Sequence, residues 1–417
     1  VNKGTPMLWL LACSPAFTDK EGGAVGISDS GPSPESPSPP GPAPEGEGAE
    51  SLGEVPSLFV SDTIWQMEIE LTESAIADLA LAPTDYVQGA FVLNGARFDP
   101  VGVRLKGNST YQWLDGRPAF KIKADEYVDG MRIHGLERIT LNSNYWDGSM
   151  MSETFAYGLW RRMGAPAPRT GYASVSFNGE LYGLYTLVEA MDDDFIDATW
   201  PGSEGGLYEM CRTCDLTLDC SAYPLQETGD AYDPEGLGRA CAAAASRDEA
   251  AIRAHFDWTA LTRFFALERG LNHPDSYSFN QNNYYLYHNP ATDQVSLTPW
   301  GADSTFSYTY PPDEDRPCLP GRFDDLNAFP VGDLSEWCEG NAACWADVKM
   351  EMLRLAALLE DDDVASEVLA TAAHIEAAVA EDPRWPWGLS TWESKVDCLH
   401  AWMLDRPGAI RGFVDRR

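Results

Sequence analysis

An α+β fold in two lobes is what these 417 residues predict, on three observations. Segments with a two-residue apolar period crowd the early part of the body, segments with a helical period fill most of the rest, and a stretch with almost nothing to bury precedes both. The 44% hydrophobic content is ample for a core. The balance of 65 acidic against 29 basic residues gives a formal net charge of -36. Such a surface repels phosphate backbones and anionic headgroups, so nucleic acid is not an expected partner. After the N-terminus no run approaches the roughly 18 apolar residues needed to cross a bilayer.

The chain begins "VNKGTPMLWLLACSPAF", where a short apolar run leads into Leu-Leu-Ala-Cys at Cys13. This resembles the lipobox of bacterial lipoproteins. It implies a signal segment over 1–13, acylation of Cys13, and an exported cell-envelope protein whose only membrane contact is its lipid anchor. Residues 14–54 are rich in Pro, Gly, Ser and Glu and read as a disordered tether. The folded body is expected over 55–417.

In "IWQMEIEL" (64–71), Met67, Ile69 and Leu71 alternate with Gln66, Glu68 and Glu70, which is strand periodicity. "TESAIADLALAP" follows as a short helix stopped by Pro83. Further strands are expected over 86–93, 101–106, 119–124 and 138–142, with Asn94-Gly95 as a hairpin turn. A helix over 149–163 comes next, ended by Gly164-Ala165-Pro166. "GYASVSFNGELYGLYTLVEAMD" then reads as two strands around Asn178-Gly179. The stretch 201–241 reads as an irregular, Cys-rich insertion. Residues 248–271, 348–380 and 390–414 are expected to be mainly helical. The acidic runs 192–194 and 361–363 read as solvated caps or loops.

Nine cysteines less Cys13 leave eight: Cys211, Cys214, Cys220, Cys241, Cys318, Cys338, Cys344 and Cys398. An even set fits disulfides in an oxidising compartment. The C-x2-C of Cys211 and Cys214 is also half of a zinc pattern, but it lacks a matching partner or a nearby His pair.

The stretch that carries chemistry is "GLNHPDSYSFNQNNYYLYHNPATDQVSLTPWGADSTF". His273-Pro274-Asp275, followed by Asn280, reads H-x-D-x4-N. In protein kinases that pattern supplies an Asp that orients the acceptor hydroxyl and takes its proton, and an Asn that ligates magnesium. Two strand-like runs form a hairpin around 290–293, and Asp303 stands just past the second run, where a kinase places its metal-binding Asp. The gap of 303 − 275 = 28 residues is longer than in ordinary kinases, and Ala302-Asp303-Ser304 is not D-F-G. On this region alone, a loop and hairpin whose Asp and Asn cap turns is an equal reading. Upstream, "RLKGNSTYQWLDGRPAFKIKAD" adds a turn at Gly107-Asn108-Ser109 and a strand with Lys121 and Lys123 on one face. A nucleotide needs such a cation over its phosphates; a solvated edge face is the plainer reading. Glu153, on the following helix, stands where an acidic partner for the strand lysine belongs.

Together "RLKGNST", "FKIK", "LNSNYWDGSMMSETFAYGLWRRMGAPAPRTGYASVSFNGELYGLYTLVE", "PDSYSFNQNNYYLYHNP" and "PWGADSTF" resemble the CotH kinase family, in that family's order. The resemblance implies a two-lobed atypical protein-kinase-like fold. It implies binding of ATP with magnesium, or manganese in its place, and phosphorylation of Ser or Thr in a protein substrate. Asp275 becomes the catalytic Asp and Asp303 the metal-binding Asp. Asn280 and Asn283 compete for the metal-ligating Asn, with the family's Asn-Tyr-Tyr pattern favouring Asn283. Lys121 is the expected phosphate lysine with Glu153 as its partner, and Arg104 and Lys106 are secondary phosphate ligands. Where many members read Trp-Asp-x-Asp, this chain has Trp300-Gly301-Ala302-Asp303, which removes a ligand expected of a second metal site. An exported domain meets little ATP, so a surface adhesion or binding module keeping the kinase-like fold is the competing expectation.

Overall fold

The computed structural model describes residues 57–60, 62–210, 214–217, 220, 223–306 and 326–416. Contacts divide the chain into Val1–Gly53 and Glu54–Arg417, and every described residue belongs to the second unit. Cys13 and the tether expected over 14–54 lie outside the described residues.

The strand-rich part is a closed barrel. Its strands are β1 (Ile64–Glu70), β2 (Val87–Leu93), β3 (Ala96–Lys106), β4 (Ala119–Lys123), β5 (Arg138–Asn142), β6 (Thr170–Phe177) and β7 (Glu180–Glu189). They run in the order β1-β2-β3-β4-β5-β7-β6, and β6 pairs in parallel with β1 to close the ring. Alternation sends Met67, Ile69, Val103, Leu105, Phe120, Ile122, Ile139 and Leu141 into one core. Arg104, Lys106 and Lys121 stay half-buried on the outer face. Both Asn-Gly turns form as expected, with positive φ at all four residues, as a two-residue hairpin turn requires. Asn178 does more than turn the chain: its side chain accepts from the Leu71 amide at 2.8 Å and donates to the Leu71 carbonyl at 3.0 Å. Helix α1 (Glu73–Leu81) starts at Thr72, whose hydroxyl accepts from the Ala75 amide at 3.2 Å.

Helix α2 (Ser152–Arg162) starts three residues later than expected, because Asp147 and Ser149 occupy the turn ahead of it and Met150 has φ 58°. Beyond the barrel and α3 (Asp193–Thr199), a second sheet forms from β8 (Gly206–Glu209), β9 (Leu225–Thr228), β10 (Tyr284–Asn289) and β11 (Gln294–Pro299), in the order β11-β10-β8-β9. The Cys-rich stretch is therefore not wholly irregular: it supplies two strands that pair with each other, the first of which also pairs with a hairpin far along the chain. The remaining helices are α4 (Gly236–Ser246), α5 (Glu249–His255), α6 (Trp258–Gly270), α7 (Tyr277–Asn280), α8 (Asp333–Gly340), α9 (Ala342–Asp361), α10 (Val364–Ala380) and α11 (Gly388–Arg416). The helix expected over 248–271 is two, since the Asp257 carboxylate accepts from the Ala260 amide at 3.0 Å and restarts the chain as α6. Helix α6 is buried nearly all round and forms the axis of the helical part.

Asp192 corrects another expectation. Its side chain caps α3 as foreseen, but it is 2% exposed rather than solvated. Burial pushes its carboxyl up to about 8, against the pull of Arg138. Disulfides join Cys220 to Cys241 and Cys338 to Cys344, and Cys214 and Cys398 are disulfide-bonded as well. Cys211 and Cys318 lie outside the described residues. Disulfides of this kind mark an oxidising compartment. No described helix is long and apolar enough to cross a membrane.

Candidate active site

The loop after α6 is built around Asp275. Below it lies Glu268, fully buried, whose carboxylate accepts from the backbone amides of Tyr277 at 3.0 Å and Ser278 at 3.1 Å and from the Ser278 hydroxyl. Burial pushes Glu268 up to about 8, and these hydrogen bonds oppose the shift. Asp275 itself is half-buried and takes three side-chain amides: Asn280, Asn282 at 3.0 Å and Asn283 at 2.7 Å. Gln281 and Asn283 have φ of 50° and 53°, and these left-handed positions fold the Asn-rich segment back on the aspartate.

Asp303 sits in a single 3-10 turn, Ala302–Ser304, after β11. Two bonds tie this turn to the Asp275 loop. The Trp300 amide donates to the Asn283 carbonyl at 3.0 Å, and His273 Nε2 donates to the Gly301 carbonyl at 3.2 Å. Burial holds the His273 ring down to about 4, with Asp275 opposing, so the ring is neutral at physiological pH. Gly301 is required twice over. Its φ is 53°, and a Cβ there would stand 2.7 to 2.9 Å from the Asn283 amide group.

The third part joins the barrel to this turn. Lys106 donates to the Asn142 side-chain oxygen, and Asn142 donates to Glu153 Oε2 at 2.7 Å. The Tyr157 hydroxyl donates to Glu153 Oε1 at 3.3 Å and accepts from the Ala302 amide at 3.4 Å. A relay thus runs from strand β3 through β5 and α2 to the residue before Asp303. Burial pushes Lys106 down and Glu153 up, and their mutual attraction opposes both shifts. The Lys106 ammonium also lies 5.5 Å from the Trp300 ring centre.

The cation that reaches Glu153 is therefore Lys106, not the expected Lys121. Register places Lys121 opposite Arg104, on the neighbouring strand. Burial pushes Lys121 down to about 8, helped by repulsion from Arg104, Lys106 and Arg138, with Glu209 opposing. Arg104 itself lies 5.2 Å over the Tyr86 ring. Across from this cationic strip the balance reverses. Burial pushes the Asp303 carboxyl well above the usual range, and Glu153, Asp147 and Asp275 push it the same way while Lys106 opposes.

The structure thus brings together Asp275, Asn280, Asn283, Asp303, Glu153 and Lys106, and sets Lys121 and Arg104 side by side along the strip. It adds residues that sequence reasoning passed over. Asp147 is 3% exposed, takes the Ser149 amide at 2.9 Å and the Ser152 amide at 2.6 Å, and shares a cleft with Asp303 and Lys395. Its sequence signal was that of a helix cap: an Asp and a Ser just ahead of a helical stretch. Asn142, Tyr157 and Asn282 carried no signal beyond their residue type, whereas His273 stood in the H-x-D pattern.

Among the described residues no three His, Cys, Asp or Glu side chains form a metal cage of their own. Magnesium does not ask for one; it takes one or two protein oxygens and completes its shell with water and substrate phosphates. The Asp303 carboxylate, crowded by like charge, and the Asn283 amide pressed on Gly301 are a donor set of that chemistry.

A strand-rich part and a helical part, joined at a lysine, a glutamate, two aspartates and an asparagine, define a kinase-like protein. Residues 103–410 match the family described as CotH kinase protein, and the chain belongs to it. Over 189 residues it is 22% identical to the inner spore coat protein H of Bacillus subtilis (strain 168), covering 42% of this chain and 51% of that protein. The chain thus spans about half the length of that relative. Among solved structures it is similar to the Helicobacter pylori proinflammatory kinase CtkA, with a TM-score of 0.33 and 10% identity over 80% of this chain and 92% of that one. It is also similar to the Shewanella oneidensis MR-1 toxin–antitoxin system HipA, HipB and operator DNA complex, with a TM-score of 0.35 and 13% identity over 86% of this chain and 74% of that one.

Proposed function

We propose that this protein is an ATP-dependent, magnesium-dependent protein kinase acting on Ser or Thr. The observation that carries the reading is the pair of opposed charge excesses: Arg104, Lys106 and Lys121 repel one another on the barrel, while Asp303, Glu153, Asp147 and Asp275 crowd one another across from it. A nucleotide triphosphate with a divalent cation relieves both at once. Lys106, tethered to Glu153, and then Lys121 and Arg104 hold the phosphates. Asp303 and Asn283 would hold the cation, which would neutralise charge on the terminal phosphates. Asp275, steadied by three amides, accepts the hydrogen of the acceptor hydroxyl. That hydroxyl oxygen bonds to the γ-phosphorus as the bond from phosphorus to the bridging β,γ-oxygen breaks; ADP leaves and the proton passes to Asp275.

Labelled ATP, magnesium or manganese, and casein beside the chain itself as acceptors test the reading. Label on Ser or Thr is the expected result. Tight nucleotide binding with no label on either acceptor favours a binding module on the kinase-like fold, and no nucleotide binding at all overturns the reading.

A further inference from the structure

The Cys-rich insertion places one side chain beneath the Asp275 loop. Asp215 directly follows the disulfide-bonded Cys214 and precedes Cys220, which is joined to Cys241 on α4. Its carboxylate is 2% exposed and forms no ion pair with a described residue. It accepts instead from the Tyr277 hydroxyl at 2.9 Å, the Gln281 side-chain amide and the Asp333 backbone amide at 2.9 Å. Tyr277 opens α7 and Gln281 follows its end, so these bonds clamp the turn that carries Asn280 toward Asp275. The Asp333 amide fastens the same carboxylate to the start of α8. One residue upstream, the Cys214 carbonyl accepts from the Tyr284 hydroxyl at 3.3 Å, just past Asn283. The insertion therefore grips the loop at both ends, while fully buried Leu216 roots it in the helical core.

We propose that Asp215 is a positioning residue for the Asp275 loop, and that the disulfide-closed insertion carrying it makes that positioning depend on oxidation. The inference rests on the phosphoryl-transfer reading above. Asp215 touches neither nucleotide nor acceptor; it acts by holding Tyr277 and Gln281, and through them the amides around Asp275. Residues 214–217 lie outside any regular element, so disulfide closure supplies much of their order. Opening the disulfides returns chain entropy to them and lowers the fraction of molecules with the carboxylate in place. A dithiol does this by giving two electrons and two protons to each S–S bond, leaving two thiols and its own cyclic disulfide.

The test uses the oxidised full chain with ATP, magnesium and casein. Asp215→Ala is expected to lower kcat about tenfold to a hundredfold, the scale of a displaced catalytic group, while calorimetric ATP affinity holds. Asp215→Asn, whose one acceptor oxygen can serve either the Tyr277 hydroxyl or the Asp333 and Gln281 amides but not both, recovers part of that loss. Dithiothreitol on the parent, and the Cys220→Ser/Cys241→Ser double variant, reproduce the fall in kcat without the fall in affinity, and reoxidation of the parent reverses it. A merely structural role lowers ATP affinity and kcat together and overturns the proposal. Gln281→Ala removes one clamp at a partly exposed position and decides the matter if Asp215→Ala does not fold. Hydrogen exchange of the backbone amides over 277–284 reads the positioning apart from turnover. If the parent transfers no phosphate, the kinase reading fails, but faster exchange there with unchanged exchange in β3 and β4 still supports the clamp. Parental exchange over 277–284 in both variants overturns it.

Discussion

Asp275 and Asp303 are both half-buried aspartates on adjoining loops, and they are treated in opposite ways. Asp275 has three amide groups turned on it; Asp303 receives no hydrogen bond from the described residues and faces three other acidic groups. A carboxylate supplied with neutral donors is held in place. A carboxylate starved of donors and pressed by like charge is completed by a cation. On the proposed phosphoryl-transfer reading, the first is the base and the second the metal ligand.

The largest effect expected is that of removing the starved carboxylate. Asp303→Ala should abolish metal-dependent ATP binding and turnover together, a loss of about 10³-fold or more. Titration calorimetry with ATP, run with and without magnesium, checks it; parental magnesium-dependent affinity would dissolve the contrast between the two aspartates.

The supplied carboxylate should fail differently. Asp275→Asn keeps the size of the side chain and removes the charge, so turnover should fall roughly 10²-fold while ATP affinity stays near the parent's. The same calorimetry beside a phosphorylation assay separates the two outcomes. Equal loss of binding in both variants would mean that the aspartates share one role.

The smallest effect concerns the cations opposite. Lys121 is held down to about 8 by burial and its basic neighbours. Phosphate binding favours its charged form, so binding takes up a proton once the free site has begun to lose it. ATP affinity should therefore weaken by about three- to tenfold as pH rises from about 7 to about 9, and Lys121→Met should flatten the profile. A flat parental profile would remove Lys121 from the phosphate site and leave Lys106 and Arg104 there.

What the sequence made legible was local. The Asn-Gly turns, the helix stopped by Pro83, the H-x-D spacing and the Asp after a hairpin all act within a few residues, and each could be read without knowing its neighbours in space. The misplacements involve distance. Lys106 and Lys121 lie on adjacent strands, and only strand register and the position of Asn142 decide which cation reaches Glu153. Strands β8 and β9 stayed hidden because β10, which β8 joins on its other side, lies well downstream and the intervening cysteines dominate the composition. Asp147 was concealed for another reason: its capping bonds are an ordinary use of an aspartate, and its closeness to Asp303 depends on α2 packing beside the Asp303 turn.

The seam of the barrel has a consequence for the protein's life among other chains. A seven-stranded sheet left open would offer two rows of unpaired amides and carbonyls, on which foreign strands can crystallise into shared ladders. Laying β1 against β6 withdraws both rows at a stroke. That protection hangs on one short segment near the start of the body. Whatever clips or displaces Ile64–Glu70 uncovers not one ladder but two, along β2 and along β6, and turns a self-contained ring into an adhesive sheet.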